Sequence, residues 1–309
     1  MKAGPMVKMM VSMSIFGSIG FFSTQTGLPS FDLVFVRCIC ATLFLGMCWF
    51  VTGEYKREKW NAKEIKQILL CGIFLVFNWV FLFKAFEMMS VTVAISIYHL
   101  APVLVLLLGS FMFKEKLTVL GVMSIFICFI GTLLIIGVKE LTIDGFMSSG
   151  ILWALLAALF YACTTLLGKG IIHTSAYAVT FLQTFLGIFL LLPFVHFNNF
   201  HFLTTANWTA ILVTGFVHTG LVYYLFFDSL RYLKTQVISV LVFLDPAVAI
   251  LLDTAFTGFR PTILQLAGIV LIFLGMIFTL KRKPSSKKIF PIRKFKKAYR
   301  TFVGVRSLK

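Results

Sequence analysis

The sequence predicts an all-α polytopic membrane protein with ten transmembrane helices, arranged as two inverted five-helix repeats with both termini in the cytoplasm. Three observations lead to this fold class. The chain of 309 residues is 60% apolar and only 13% charged, with a mean hydropathy of +0.98. Its second half resembles its first, and its Lys and Arg residues are distributed unevenly between successive loops. This composition excludes an ordinary soluble domain.

Ten apolar stretches recur along the chain, each near the roughly 20 residues that cross a hydrocarbon core. They lie at about 6–23, 30–51, 66–86, 91–111, 117–137, 149–169, 175–195, 208–228, 233–254 and 262–281. Because lipid offers no hydrogen-bond partner, the backbone of each stretch must pair internally, which makes it a helix. The first stretch follows Lys2 and Lys8 like a secretory signal, but it lacks an A-x-A-like cleavage site and is interpreted as a mature helix.

A shift of 144 residues aligns the two halves without a gap. The matched positions include Pro102 with Pro246, Thr118 with Thr262, Gly131 with Gly275 and Phe16 with Phe160. The register predicts a first repeat at 6–137, a second at 149–281 and a basic tail at 282–309. Internal duplication in an apolar chain is typical of secondary transporters.

The net charge of +17 is located in particular loops and in the tail. Lys and Arg follow every second span, at 56–66, 114–116, 169 and 231–234, whereas the loops 23–29 and 196–207 contain none. This positive-inside asymmetry predicts a protein of the plasma or inner membrane with both termini in the cytoplasm. Since five spans are an odd number, the second repeat must insert upside down. The dispersed charges also argue against a nucleic-acid partner.

The tail has a pattern of its own after Pro291. Aromatic and apolar residues recur at helical spacing among Lys and Arg, so one interpretation is a basic amphipathic helix on anionic lipid headgroups. The other is a disordered basic tail that only anchors the orientation. The cysteines are interpreted as buried apolar thiols, without a role in a metal site or disulfide; they are Cys38, Cys40, Cys48, Cys71, Cys128 and Cys163.

Three segments of the first half resemble the EamA family of the drug/metabolite transporter superfamily. They are Phe83-Lys84-Ala85-Phe86, Tyr98-His99-Leu100-Ala101-Pro102 and Phe113-Lys114-Glu115-Lys116-Leu117-Thr118, to which Phe35-Val36-Arg37 adds an arginine on the second helix. The second half departs from the pattern with Phe259 and Phe181 at the positions of Glu115 and Arg37. The resemblance implies a carrier with a central cavity that moves amino acids or related small solutes by alternating access, often outward.

Polar residues deep in the spans are the candidate site, since a charged side chain at the bilayer centre costs about 2.5–3.5 kcal/mol. The candidates for solute binding or ion coupling are Asp245, His99, Asn78, Trp79, Tyr98, His218, Arg37 and Tyr223. Asp245 suits an amine or a coupling proton, or alternatively an ion pair between spans. Arg37 suits a carboxylate ligand by bidentate pairing, or alternatively reaches the outer surface. His99 and His218 are either proton relays or neutral helix contacts.

Pro102 and Pro246 occupy equivalent positions in the two halves. Each removes a helix hydrogen bond and frees a carbonyl one turn earlier, which predicts a break near Tyr98 and near Val242.

The sequence therefore predicts a secondary transporter for a small organic solute, with efflux and proton coupling as further expectations and with the lipid bilayer as its surroundings. A carrier of nucleotide sugars or phosphate esters is the alternative within the superfamily, although it calls for several deep basic residues. A membrane-embedded enzyme is the alternative from another class, and the chain shows no motif of one. No cofactor or metal is expected, and a homodimer is left open.

Overall fold

A computed structural model describes residues 3–58, 60–89, 91–113, 119–136, 150–248, 251 and 262–280, and this part of the chain is helical throughout, with no strand. The helices of the first half are α1 Ala3–Phe16, α2 Ile19–Thr24, α3 Ser30–Val51, α4 Ala62–Met88, α5 Val91–Tyr98, α6 Ala101–Phe113 and α7 Val119–Ile136. The helices of the second half are α8 Ile151–Lys169, α9 Ala176–Leu191, α10 Thr205–Leu212, α11 Val222–Leu230, α12 Thr235–Leu241 and α13 Ile263–Leu280.

Within the part of the chain that the structure describes, six apolar helical segments are long enough to cross a membrane, by length and composition. They are Gly4–Thr24, Ser30–Val51, Ala62–Met88, Ile151–Lys169, Ala176–Phe194 and Thr205–Leu230. The other four predicted spans contain shorter apolar helices, namely Ala101–Phe113, Val122–Leu134, Thr235–Val248 and Ile263–Gly275. The all-helical polytopic class is confirmed, and the count of ten crossings stays a prediction.

Short polar residues start several helices. The Asn61 side chain accepts from the Lys63 N–H at the start of α4, and the Ser175 side chain accepts from the Ala178 N–H at the start of α9. Thr204 and Asn207 form a reciprocal capping box at α10. These caps satisfy N–H groups that have no partner within the helix, so the helix starts are well defined at the ends of the bundle.

Two segments depart from regular α-helix near the middle of the predicted spans. The first span is broken at Gly17 and Ser18, between α1 and α2. Val213–Leu221 forms a π-helix that joins α10 to α11. π-Helical segments are rare and occur often at functional sites. Its counterpart in the first half, within α4, is regular α-helix.

Several helix contacts have an equivalent contact in which the first and second halves change places. Helix α1 packs on α11 as α8 packs on α4, and α3 packs on the π-helix as α9 packs on α4. Helix α3 also packs on α9, and α7 on α13. In the α7–α13 pair, the Cys128 thiol donates to the Ile272 carbonyl at 3.6 Å, across a separation of 144 residues. Residues related by the sequence shift therefore touch each other.

The bundle has two chemically different ends. One, which we call the basic end, is held by the Lys8–Asp228 ion pair at 2.6 Å and by Glu64, whose carboxylate accepts from the backbone N–H groups of residues 172–174. At the opposite end, Asp32 accepts from the His196 N–H at 2.9 Å and from the Asn199 amide at 2.6 Å. Both buried carboxylates are thus satisfied within the chain.

The cysteines are all free, with Cys38, Cys40, Cys71 and Cys128 buried and Cys48 and Cys163 partly exposed. The loop of Glu115, its counterpart at Phe259 and the basic tail lie outside the described residues, so the predictions made for them are not addressed by the structure.

Candidate solute-binding site

Arg37 lies in the interior of the bundle, on α3, with no exposed surface. Its Nε–H donates to the Thr219 hydroxyl at 2.9 Å, and its guanidinium carbon lies 5.1 Å from the ring centre of Trp79 and 4.9 Å from that of Phe83. Both terminal nitrogens, Nη1 and Nη2, lack a hydrogen-bond partner. Ring faces stabilise a cation only in part, so the guanidinium fork is left free to bind an anion.

The π-helix supplies the acceptor that orients Arg37. The Thr219 hydroxyl donates to the Thr214 carbonyl at 2.7 Å, five residues earlier, which leaves its oxygen free to accept from Arg37. Two glycines let this segment pack closely on α3 and its neighbours: Gly215 lies against Cys40 and near the Arg37 backbone, and Gly220 lies against Phe44. The local backbone irregularity thus fixes the direction in which the guanidinium points.

His218 faces the first span from the same π-helix and is buried. One ring nitrogen, Nε2, lies 2.8 Å from the Ser18 hydroxyl, and Nδ1 lies 3.3 Å from the Val213 carbonyl. A carbonyl only accepts, so Nδ1 carries the proton in this contact, and Nε2 of a neutral ring accepts from Ser18. The Ser18 hydroxyl also lies 2.8 Å from the Ile15 carbonyl. The Ser18 hydroxyl can donate its one proton either to His218 Nε2 or to the Ile15 carbonyl.

Trp79 and Tyr223 meet at the centre of the bundle, although they are 144 residues apart. The Trp79 indole N–H donates to the Tyr223 hydroxyl, and the two rings contact each other edge to face with centres 4.9 Å apart. Phe16 packs on the other side of Tyr223 at 5.1 Å. These aromatic residues pack together, and Trp79 joins them to Arg37.

Asp245 is partly exposed, whereas Leu244 and Pro246 on either side of it are buried. Phe243, two residues earlier, is buried, and its ring lies 6.1 Å from that of His99 in the first half. The turn that carries Asp245 is therefore packed against the first half. The described residues contain no hydrogen bond or ion pair from the Asp245 carboxylate.

Neither Arg37 nor Asp245 takes part in the ion pairs of the described residues, which are Lys8–Asp228, Arg57–Glu54 and Lys84–Glu87. The other buried charges in this part of the chain, Asp32 and Glu64, have several internal partners. The unpaired arginine and the unpaired carboxylate are therefore exceptional within this fold.

Asn78 joins helices within the bundle. Its amide donates to the Ala157 carbonyl at 2.7 Å, which ties α4 to α8, and more weakly to the Tyr98 hydroxyl at 3.4 Å. Tyr98 in turn contacts Tyr161 edge to face at 5.6 Å. Asn78 thus orients the Tyr98 ring.

His99 makes a local contact, from Nδ1 to the Ile95 carbonyl at 2.7 Å on its own helix. Its ring lies 6.1 Å from that of Phe243, its counterpart in the second half. The second nitrogen, Nε2, is buried and without a partner among the described residues. His99 therefore lies on the boundary between the halves, away from Arg37 in the contacts that the structure records.

The chain is interrupted ahead of each matched proline. Helix α5 ends at Tyr98, α6 begins at Ala101 before Pro102, and α12 ends at Leu241 before Pro246. The Asp245 N–H bonds to the Val242 carbonyl, three residues earlier, in a tight turn. This turn carries Asp245, so the break and the candidate acid belong to one local structure.

The structure brings together Arg37, Trp79, Tyr223 and His218, and it places Tyr98 beside Asn78 and Tyr161. Among the described residues it records no hydrogen bond or ion pair between Asp245 and these side chains. Sequence reasoning did not single out Thr219 and Phe83, which contact Arg37 directly. The only local signal for Thr219 was its place beside His218 and between Gly215 and Gly220, and such a pattern does not predict a π-helix.

Apolar helices long enough to cross a membrane, closed around an interior that contains unpaired charges, define a polytopic membrane protein of the transporter class. The sequence matches the model of the EamA-like transporter family twice, over residues 5–137 and 148–281. The chain belongs to this family, and the resemblance noted from its motifs is confirmed.

Two relatives carry transporter names. The chain is 62% identical over 289 residues to the uncharacterized transporter YxxF of Bacillus subtilis (strain 168), with 93% of each chain covered. It is 24% identical over 269 residues to an uncharacterized transporter of Archaeoglobus fulgidus, with 86% of this chain and 93% of the relative covered. A solved crystal structure superimposes with a TM-score of 0.76 over 91% of this chain and 97% of that one, at 16% identity. This last likeness shows the fold alone.

Proposed function

We propose that this membrane transporter is a secondary carrier that exports a small amphoteric solute, such as an amino acid, by alternating access. The observation that carries the proposal is the buried guanidinium of Arg37, whose two terminal nitrogens have no partner. Removing a charge from water is costly unless a partner compensates it. A solute carboxylate, bound in bidentate fashion by the guanidinium fork, supplies that partner.

Asp245 supports an amine on the same solute. Its side chain is partly exposed between two buried neighbours, and it has no ion-pair partner among the described residues. In the proposed complex, a zwitterion presents its carboxylate to Arg37 and its ammonium group to Asp245. When no solute is bound, a proton on Asp245 neutralises the same buried charge, so proton coupling is part of the proposal.

The proposed machinery consists of two inverted five-helix repeats with ten spans. Its support is the exchange of helix pairs between the halves and the contacts between residues 144 positions apart, Trp79 with Tyr223 and Cys128 with Ile272. Inverted repeats with a site at their interface are the usual architecture of secondary transporters. The accumulation of Lys and Arg at the basic end supports cytoplasmic termini in a plasma or inner membrane.

A carrier of nucleotide sugars or phosphate esters has less support. Two or more phosphate charges call for several cationic groups. The part of the chain that the structure describes contains one buried Lys or Arg, which is Arg37. For a membrane-embedded enzyme, those residues offer no cluster of three His, Cys, Asp or Glu side chains placed to hold a metal ion. An amphoteric solute, which carries one negative and one positive group, fits Arg37 and Asp245 better than either alternative.

The test compares Arg37→Gln with Arg37→Lys in proteoliposomes loaded with radiolabelled amino acids. A solute moved by the unmodified protein is tested beside its amide, which lacks the carboxylate charge. We expect Arg37→Gln to weaken the apparent affinity for the acid about tenfold to a hundredfold, the effect of losing a charge-assisted hydrogen bond. The affinity for the amide should change little, and Arg37→Lys should restore only part of the loss because it lacks the planar fork.

Lys84→Gln serves as the matched control, since Lys84 is a half-exposed cation at the opposite end that pairs with Glu87. It should transport at the unmodified rate. Wild-type transport by Arg37→Gln, or equal losses for the acid and the amide, would remove the carboxylate role of Arg37.

A further inference from the structure

The two halves place equivalent residues at the two ends of the bundle, and Gly168 is buried at one end whereas its counterpart, Thr24, is exposed at the other. At the basic end, Gly168 of α8 is buried so tightly against α11 that an added Cβ would lie 2.5 Å from the Phe227 ring and 3.1 Å from Leu230. The Lys169 ammonium group donates to the Leu233 carbonyl at 2.6 Å. We call these contacts the basic-end latch.

The latch joins two groups of helices. Helix α1 contacts α11 and α12 on one side, and α8, α4 and α5 contact one another in the equivalent group on the other. Gly168 and Lys169 belong to the second group, whereas Phe227, Leu230 and Leu233 belong to the first group or to the turn that follows α11. The contacts between these residues therefore close the bundle at the basic end.

The shift of 144 residues gives the counterparts of the latch at the opposite end. Gly168 corresponds to Thr24, Lys169 to Gln25, Phe227 to Phe83, Leu230 to Phe86 and Leu233 to Met89. Thr24 and Gln25 are exposed, and their side chains have no hydrogen bond to residues 83–89 among the described contacts. Thr24 and Gln25 are thus exposed at this end, whereas Phe83 is buried and contacts Arg37 and Phe86.

The break in the first span lies where a hinge is needed to move the end of the bundle opposite the basic end. Thr24 ends the six-residue helix α2, which is separated from α1 at Gly17 and Ser18. The equivalent stretch of α8 is continuous through Lys169. Small residues at such a break absorb a change in backbone angles, so α2 is able to swing while α1 stays packed on α11.

We propose that α2 is the gate at the end opposite the basic end, and that it closes by forming the counterpart of the basic-end latch. In the closed gate, Thr24 packs over Phe83 and Phe86, and the Gln25 amide donates to the Met89 carbonyl as Lys169 now donates to the Leu233 carbonyl. Phe83 contacts the Arg37 guanidinium, so this movement covers the solute site from that end. The inference rests on the proposed alternating access and adds the residues that perform it.

The test measures one distance at each end by double electron–electron resonance, in protein whose six native cysteines are replaced. Spin labels at Leu28 and Met88 report the gate, and labels at Ile172 and Tyr232, their counterparts in the second half, report the latch. All four side chains are partly or largely exposed. We expect Lys169→Met to lengthen the second distance and shorten the first, with the ratio of the two populations changing about tenfold or more.

Adding Gln25→Met to Lys169→Met should return both distributions toward those of the unmodified gate, because it removes the hydrogen bond that only the alternative state makes. Lys169→Arg, which keeps a cationic donor, is the matched control and should leave both distances in place. Distances that stay fixed in Lys169→Met, lengthen together, or ignore the added Gln25→Met would overturn the proposal.

Hydrogen–deuterium exchange on protein with its native cysteines provides a second measurement. In Lys169→Met, peptides covering α2 should gain protection while peptides covering 166–172 lose it; loss at both would contradict the gate and indicate unfolding. The Arg37 transport assay reads a different property. If the distances do not change as expected but Arg37→Gln still affects the acid more than the amide, the gate is wrong and the proposed function stands. If the distances change as expected but Arg37→Gln has no such selectivity, the gate stands and the proposed role of Arg37 is wrong.

Discussion

At the scale of single residues, the site depends on charges that the chain leaves without partners. Asp32 and Glu64 show the usual solution, in which backbone and side-chain donors surround a buried carboxylate. Arg37 has one hydrogen-bond partner for its five N–H groups, and Asp245 has no ion-pair partner among the described residues. Residues that destabilise the empty protein in this way are best explained by a ligand that compensates them.

The role of Asp245 is tested by Asp245→Asn, which preserves shape and removes the titratable charge. If the carboxylate binds the solute amine or carries the coupling proton, the variant should transport at least tenfold more slowly, the effect of about 1.4 kcal/mol. Its residual rate should also lose the dependence on a pH gradient. Uptake into vesicles with and without an imposed gradient measures both effects, and Asp228→Asn at the basic end is the matched control. A variant with the normal rate and normal gradient dependence would exclude the coupling role.

At the scale of helices, close approach at glycines determines which elements can pack. Gly131 and Gly275 are equivalent positions on α7 and α13, and each lies against the other helix. A Cβ at Gly131 would lie 2.6 Å from the Gly268 carbonyl, and one at Gly275 would lie 2.5 Å from the Cys128 sulfur. Small residues at such contacts let the backbones of membrane helices come together.

Gly131→Ala should therefore lower thermal stability, with an overpacking cost of about 1–3 kcal/mol. The neighbour is a backbone carbonyl, which cannot rotate away as a side chain can. Gly4→Ala is the matched control, because nothing lies within 4 Å of the Cβ it would add. Unfolding of the detergent-purified variants, followed by the reactivity of the buried cysteines, measures the difference. Equal stability of the two variants would show that the α7–α13 contact is looser than the structure indicates.

At the scale of the whole molecule, the distribution of charge predicts the orientation in the membrane. Lys8, Lys63, Lys169 and Arg231 lie at the basic end, together with the carboxylates that tie its loops. Positively charged loops remain in the cytoplasm. The loop that contains His196 and Phe202 is then outside.

Cysteine labelling of intact cells tests this orientation. In protein that lacks the native cysteines, Phe202→Cys should react with a membrane-impermeant maleimide in intact cells, since that side chain is 88% exposed. Arg57→Cys, at the basic end, should react only after the cells are opened. The reverse pattern would invert the proposed topology.

The sequence by itself determined the class of the molecule, because apolar length, loop charge and backbone pairing in lipid are local properties. It also determined the positions of the two proline breaks, since a missing N–H acts on the turn just before it. It identified Arg37 and Asp245 as candidate site residues from their depth in the predicted spans, and it left two interpretations open for each.

Only the tertiary structure decided how these residues are combined. Thr219 is 182 residues from Arg37, and Tyr223 is 144 from Trp79, so their contacts arise from helix packing that no local pattern encodes. The π-helix that aims Thr219 depends equally on glycines fitting against α3 and its side chains. Packing in three dimensions selected the interior position for Arg37, because each helix turn can present a side chain either to lipid or to the centre.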